Sequence, residues 1–167
     1  MARAILDINR TQPFDPQVFV RREWAIWRGP LAGDGLVGTP EEDLRAITLG
    51  RIDWNKVRFV NGLKGDEVSI LGETKIQRIR KAHRVVIDAL VGAELYRDYE
   101  RLPKRSTLEW LRKNRGVDNL VVAGTTLRCP AGGRYVLYFS HNGSVWDWGG
   151  CWLGCRHGAD SWTPVID

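Results

Sequence analysis

Cys151, Cys155 and His157 stand close together near the end of the chain and bring its softest electron-pair donors. Thiolate and imidazole are the ligand types of zinc sites, and Cys129, His141 or Asp160 could supply a fourth donor. The spacing is not a paired Cys-x-x-Cys knuckle, and no second pair exists. On an extended strand Cys151 and Cys155 would sit well apart unless the chain folds back. The pattern therefore reads as free thiols beside a solvent-facing imidazole, with no metal and no cofactor. His83, His141 and His157, with Ser140 and Cys151, supply nucleophiles and bases on paper. No nucleophile elbow, phosphate loop or paired-histidine helix frames them, so the expectation is a protein that is not an enzyme. His83 falls at a core-facing helical position.

These donors sit within or beside a stretch holding Trp146, Trp148, Trp152 and Trp162, half of the eight tryptophans. In an extended strand alternate side chains point to opposite faces. Trp146, Trp148 and Trp152 then share one face, and Asp147, Gly149 and Cys151 share the other. Three indoles on one face are a large apolar area to leave in water. The tryptophans are accordingly expected inward as framework. The short residues Asp147, Gly149, Gly150, Cys151, Cys155, Arg156, His157, Ala159 and Asp160 are expected outward as a ligand-binding face. Arg156, His157 and Asp160 supply its charge and its hydrogen-bonding groups.

Stepping along the chain gives the elements that must hold this strand. Residues 1–38 are irregular by pattern, with a glycine-punctuated loop at 29–38. Thr39-Pro40-Glu41-Glu42 has the composition of a helix start. Residues 52–63 favour a strand, and 67–71 a short one. A basic amphipathic helix is predicted over 73–83, opened by Glu73 and closed at His83, with Ile76 and Ile79 inward. Asp88 caps a second helix over 89–99, and Ser106 or Thr107 a third over 108–114. After Lys113 there is no further Lys, Glu, Gln or Met, which fits an all-strand region. Residues 120–128 read as a tight hairpin turning at Ala123-Gly124. Residues 134–140 are apolar on both faces and read as a central strand. Asn142-Gly143 is a hairpin turn leading to the tryptophan strand. The expected class is α+β: a mainly helical region over 1–116 packed on an antiparallel meander over 117–167, the two together or as a single domain.

The chain has 167 residues and a net charge of +5, enough for one domain and too modest a charge to identify nucleic acid as a partner by itself. Its three cysteines are expected to be reduced. No segment has signal-peptide character or the apolar length of a membrane span, so a cytoplasmic protein without membrane contact is expected.

The sequence resembles a family of uncharacterised bacterial proteins. The resemblance rests on Pro13-Phe14-Asp15-Pro16, Trp27-Arg28-Gly29-Pro30, Gly33-Asp34-Gly35-Leu36, Gly72-Glu73 with Lys75-Ile76 and Arg78-Ile79, Gly124-Thr125 with Leu127-Arg128, Arg134-Tyr135-Val136-Leu137-Tyr138, and the closing Trp-x-Trp-x-x-x-Trp-Leu at 146–153. The tail is also similar to variable proteins of diversity-generating retroelements. Those elements turn Asn codons into pyrimidine-ending codons, which encode no Trp, Lys, Glu, Gln or Met. Asp147, Gly149, Gly150, Cys151, Gly154, Cys155, Arg156, His157, Ala159 and Asp160 all fall in the allowed set. This resemblance implies a bacterial variable protein whose face sits on a C-type-lectin-like fold, here a reduced one. Family members end in Ala-Val after the last proline, whereas this chain ends Pro164-Val165-Ile166-Asp167.

The expectation is a non-enzymatic protein that binds a protein or small-molecule ligand through a diversifiable surface on a tryptophan-braced β scaffold. The alternative is a nucleic-acid-binding protein using the helix over 73–83, where Lys75, Arg78, Arg80, Lys81 and Arg84 cluster.

Overall fold

A computed structural model describes residues 2–29 and 38–167. The expected loop at 29–38 and the motif Gly33-Asp34-Gly35-Leu36 fall largely or wholly outside the described residues. The architecture is mixed α and β with antiparallel sheets. The strands are β1 (Ile5–Asp7), β2 (Ala25–Ile26), β3 (Arg51–Asp53), β4 (Arg58–Val60), β5 (Ser69–Leu71), β6 (Val85–Val86), β7 (Asn119–Arg128), β8 (Arg134–His141), β9 (Trp146–Trp152), β10 (Arg156–Gly158) and β11 (Thr163–Ile166). The helices are α1 (Pro16–Phe19), α2 (Gly72–Ala82), α3 (Ala89–Arg101) and α4 (Thr107–Arg115). Six of the strands therefore lie in the region expected to be mainly helical. Their side chains are short runs of three residues or fewer, below the length at which alternation is visible in sequence.

A four-stranded sheet runs β2-β7-β8-β9. A second runs β4-β11-β6, and β1 pairs with β3 and β5 with β10. Pairing thus crosses the expected boundary at 116/117 in four places, through β2–β7, β5–β10, β11–β4 and β11–β6. The closing Pro164-Val165-Ile166 does lie in a strand: β11 is the middle strand of its sheet.

The main sheet is covered on both faces. Leu137 and Phe139 of β8 join one core cluster with Leu90 and Leu95 of α3 and Leu108 and Leu111 of α4. Val136, on the opposite face, joins Ile76 and Ile79 of α2 together with Val86, Leu153 and Val165. Double coverage explains why β8 reads as apolar throughout. The same holds for β7, whose interior residues are all buried.

Two local expectations fail here for identifiable reasons. Residues 119–128 are a single strand with a register irregularity between Val122 and Leu127, not a hairpin. Gly124 marks a close backbone approach rather than a turn: its N–H donates to the Ile87 carbonyl at 2.8 Å, and its carbonyl accepts from the Asp43 N–H at 2.7 Å. Nor does Thr39-Pro40-Glu41-Glu42 start a helix. Glu42 bridges Thr125 of β7 instead. The Glu41 carboxylate accepts from Arg134 at 2.8 and 2.9 Å, from the Thr126 hydroxyl at 2.8 Å, and from Arg80. Arg134 also meets Glu73 at 2.7 Å and lies over the Trp27 ring at 4.7 Å. A tertiary charge network outweighs the local propensity.

The helices match their predicted spans to within two residues. Ser106 caps α4 through Glu109 N–H at 3.2 Å, and Gly116 closes it with φ 63°. Asp88 occupies the cap position of α3, but its carboxylate is taken by Arg10 at 2.6 and 3.0 Å. The Thr125 hydroxyl receives the Ala89 N–H instead, at 3.0 Å. Asn142-Gly143 turns between β8 and β9 as expected, with Gly143 at φ 96°.

Candidate functional site

The predicted binding residues divide into three neighbourhoods, and the turn after β9 decides which goes where. Pairing of β9 with β8 sets Trp146 opposite His141, Trp148 opposite Phe139 and Trp152 opposite Tyr135. Alternation therefore places the three indoles on one face, as read from the spacing. Their burial differs from the expectation. Trp146 is 2% exposed, Trp148 is half-buried, and Trp152 is 53% exposed. The core under this face ends before β9 does, so its last indole projects past it. Conversely, Cys151 on the outward face is half-buried and packs against the cluster that includes α2. Both faces of β9 are occupied, so the simple division into buried indoles and exposed short residues does not hold.

The first neighbourhood is a cleft of about 490 Å³ lined by Val20, Arg21, Trp24, Tyr135, Asp147, Trp148, Gly149 and Gly150. Trp24 and Tyr135 meet edge to face, 5.0 Å between centroids. Gly150 lies beneath them: a Cβ there would come within 3.1 Å of Trp24 and 3.2 Å of Tyr135. Around Gly149 there is open space. Asp147 is exposed at the rim. A larger cleft, of about 630 Å³, lies among Trp27, Arg28, Gly29 and 39–45, with Arg80. It adjoins residues 30–37, which are outside the described set, and supports no site.

The second neighbourhood forms because the chain does fold back. Leu153 is fully buried and donates its N–H to the Arg134 carbonyl at 3.0 Å, anchoring the end of β9. Cys155 N–H then closes a turn on the Trp152 carbonyl at 3.2 Å. Gly154 permits that turn, because a Cβ there would come within 2.3 Å of the Trp152 ring. The start of α2 receives the turn: Gly72 N–H donates to the Cys155 carbonyl at 2.8 Å and Glu73 N–H to the Leu153 carbonyl at 3.0 Å. β10 then pairs with β5, setting His157 opposite Ile70.

Cys151, Cys155 and His157 consequently converge, their ligand atoms all within 4.8 Å of one another. Cys151 Sγ lies 3.9 Å from Cys155 Sγ and 3.2 Å from His157 Nε2. His157 is 3% exposed, not solvent-facing as expected. Burial, and then the Lys75 charge, lower its pKa to about 4. Burial, and then the neighbouring Cys155, push the Cys151 thiol upward.

Lys75 is the residue that sequence reasoning missed. It is fully buried, and its Nζ donates to the Ser161 carbonyl at 2.5 Å. Its position beside Ile76, one turn before Ile79, was the available signal: helical spacing places it toward the apolar stripe. Burial lowers its pKa from 10.5 to about 8, with the charges of Cys151 and Asp160 opposing. Between those two values the unfolded chain holds the proton more firmly than the folded one, so stability rises as pH climbs through that window. Lys75→Met, which removes the buried charge but orphans the Ser161 carbonyl, is expected to gain about 1 kcal/mol at pH 7. The gain should shrink by pH 10. Urea melts at the two pH values test this, and a variant less stable than the parent at pH 7 would refute it.

The third neighbourhood is the exposed rim of Arg156, Ala159 and Asp160. Arg156 is tied to Ser69 by bonds of 2.8 and 2.9 Å, and Asp160 accepts from Asn119 Nδ2 at 3.2 Å. Trp24, Arg21 and Tyr135 complete the cleft but carried no readable signal, since the first two lie in an aperiodic stretch.

The basic helix is mostly spent internally. Lys75 is buried, Arg78 pairs with Glu67 at 2.6 Å, and Arg80 donates to the Ala123 carbonyl at 2.7 and 3.0 Å besides Glu41. Lys81 and Arg84 are exposed. His83, expected at a core-facing helical position, lies just past the end of α2 and is half-buried, and its Nδ1 lies 2.5 Å from Asp167. Among the described residues no helix is long and apolar enough to cross a membrane. No family model, curated protein or solved structure matches the chain.

Proposed function

We propose that this is a non-enzymatic binding protein whose ligand enters the cleft between Trp24, Tyr135 and Trp148. The observation that carries the reading is that cleft: aromatic walls on a sheet buried from both sides, a floor at Gly150, and the Asp147 carboxylate at its mouth. Aromatic rings of limited freedom give contact area at small entropic cost. A carboxylate beside them suits a ligand group that is cationic or bears hydroxyls. Exchange of short side chains at Asp147, Gly149, Arg156, Ala159 and Asp160 would retune the surface without disturbing the core, in keeping with a diversifiable tail on a reduced lectin-like scaffold. Cys151, Cys155 and His157 do not belong to that exchangeable set, because they pack together beneath it.

A catalytic reading draws less support. Cys151 and His157 approach as nucleophile and base would, but the environment disfavours both the thiolate and the imidazolium. The nucleic-acid alternative loses three of its five cations to internal partners.

Trp24→Ala removes one aromatic wall of the cleft at a half-buried position, so the fold should survive. Saturation-transfer NMR with three probes, indole, methyl glucoside and tetramethylammonium, covers the chemistries such a cleft accepts. At least one is expected to bind the parent and to lose binding in the variant. Failure of all three, or undiminished binding in a folded Trp24→Ala protein, would overturn the reading.

A further inference from the structure

We infer that Cys151, Cys155 and His157 form a site for a zinc-class divalent ion, bound by two thiolates and one imidazole with a fourth position open to solvent. The site is separate from the aromatic cleft, and neither reading depends on the other.

Geometry carries the argument. A tetrahedral ion with metal–sulfur bonds of about 2.3 Å and metal–nitrogen bonds of about 2.0 Å sets its two sulfurs about 3.8 Å apart and each sulfur about 3.5 Å from the nitrogen. Here the sulfurs are 3.9 Å apart, Cys151 Sγ is 3.2 Å from His157 Nε2, and all three donors fall within 4.8 Å of one another. An ion is accommodated by shifts of side chains, with the backbone in place. A disulfide, at about 2.05 Å, would need the sulfurs to close by nearly half their separation.

The second observation is the histidine. His157 is 3% exposed, and its Nε2 faces Cys151 Sγ at 3.2 Å. A buried imidazole kept for structure ordinarily has its polar atoms satisfied by oxygen or nitrogen partners. Nε2 instead faces the Cys151 thiol, with the Cys155 thiol, which donates to the Trp152 carbonyl at 2.8 Å, within 4.8 Å. Gly72 lets it approach, since a Cβ at that position would meet Nε2 at 3.0 Å and the Leu153 carbonyl at 2.8 Å.

Charge also balances. Two thiolates cancel the ion's two charges, so the loaded set is neutral and suits a half-buried place. The Lys75 ammonium, which donates to the Ser161 carbonyl, keeps its positive charge beside the two sulfurs. Cys155 is half-buried and the adjoining Gly154 is exposed, which leaves an entry path and room for a solvent ligand. The donor set, two sulfurs and one nitrogen, selects zinc over magnesium or calcium.

The test uses the full chain, reduced, stripped with chelator and handled without oxygen. Zinc titrated against a chromophoric chelator should fill one site. Cobalt should give tetrahedral visible bands and a thiolate charge-transfer band in the near ultraviolet. Cys129→Ser should leave both unchanged. Cys155→Ser should halve the charge-transfer intensity and lower affinity by more than the roughly tenfold to hundredfold that loss of an outer-sphere partner causes. X-ray absorption at the zinc edge of the parent protein counts the donors independently of any variant, and two sulfurs with one imidazole are expected. The inference falls if the reduced protein takes up no zinc, if the ion's shell lacks two sulfurs, or if a folded Cys155→Ser protein binds as the parent does.

Discussion

Gly124→Ala is expected to leave little folded protein. A Cβ at that position would lie 2.2 Å from the Val86 carbonyl oxygen and 2.5 Å from that of Ile87. Both neighbours are backbone, and both residues are fully buried, so no flexible side chain can yield. Relief requires the segment from β6 into α3 to move away from β7. That movement breaks the Gly124–Ile87 bond and the Thr125 hydroxyl's bond to Ala89 N–H at the head of α3. Overpacking with loss of a helix cap is among the few mechanisms that exceed about 4 kcal/mol for one residue. Total stabilities run to only about 5–15 kcal/mol. Gly149→Ala, in open space, is the control and should change stability by no more than about 0.5 kcal/mol. Thermal melts of the two proteins decide the matter. A Gly124→Ala protein melting within a few degrees of the parent would show that β6 can retreat from β7.

Glu41→Gln should produce the next largest loss, and one with a distinctive pH signature. Burial alone would raise the Glu41 pKa. Hydrogen bonds from Arg134, Thr126 and Arg80 outweigh it and hold the carboxyl at about 2 instead of 4.5. A carboxylate with a depressed folded pKa contributes its full stabilisation above 4.5 and loses it as pH falls toward 2. The linkage amounts to about 3 kcal/mol, and because nearly a third of the side chain remains in solvent, the expected cost of the amide at pH 7 is about 2 kcal/mol. The difference between parent and variant should narrow between pH 4.5 and pH 2. Glu67 and Glu109 titrate in the same low window, but they are present in both proteins and cancel in the comparison. Urea midpoints measured across this range check it. A constant difference down to pH 2.5, or none at pH 7, would mean that Arg80 and Arg134 find equivalent partners without Glu41.

What could be read from the residues and what could not follows one physical line. α2, α3 and α4 are legible because spacing and caps are local: Ile76 with Ile79, Ser106, Gly116. β8 is legible because both its faces are apolar. The alternation of Trp146, Trp148 and Trp152 is likewise a local property, and the pairing with β8 follows it. Burial of those same residues is not local. Whether Trp152 is covered depends on where the core beneath it stops, and whether Cys151 is exposed depends on α2, which lies far earlier in the chain. Gly124 looked like a turn because its reason for being glycine, the Val86 and Ile87 carbonyls, is distant in sequence. The meeting of Cys151, Cys155 and His157 required a turn at Gly154 whose hydrogen-bond partners sit at the head of α2. Lys75 shows the limit from the other side: it was read among the cations of a basic helix face, and it lies fully buried.

The placement of β11 bears on how the molecule is assembled during synthesis. β4 and β6 are made early, yet neither hydrogen-bonds to the other; Thr163–Ile166 supplies the edge that each of them needs. Until those residues leave the ribosome, Val60 and Val86 have no lateral neighbour, while β7, β8 and β9 can already zip in succession. Three sequential strands therefore have the means to form a template first, and the two older segments wait for a strand made after it.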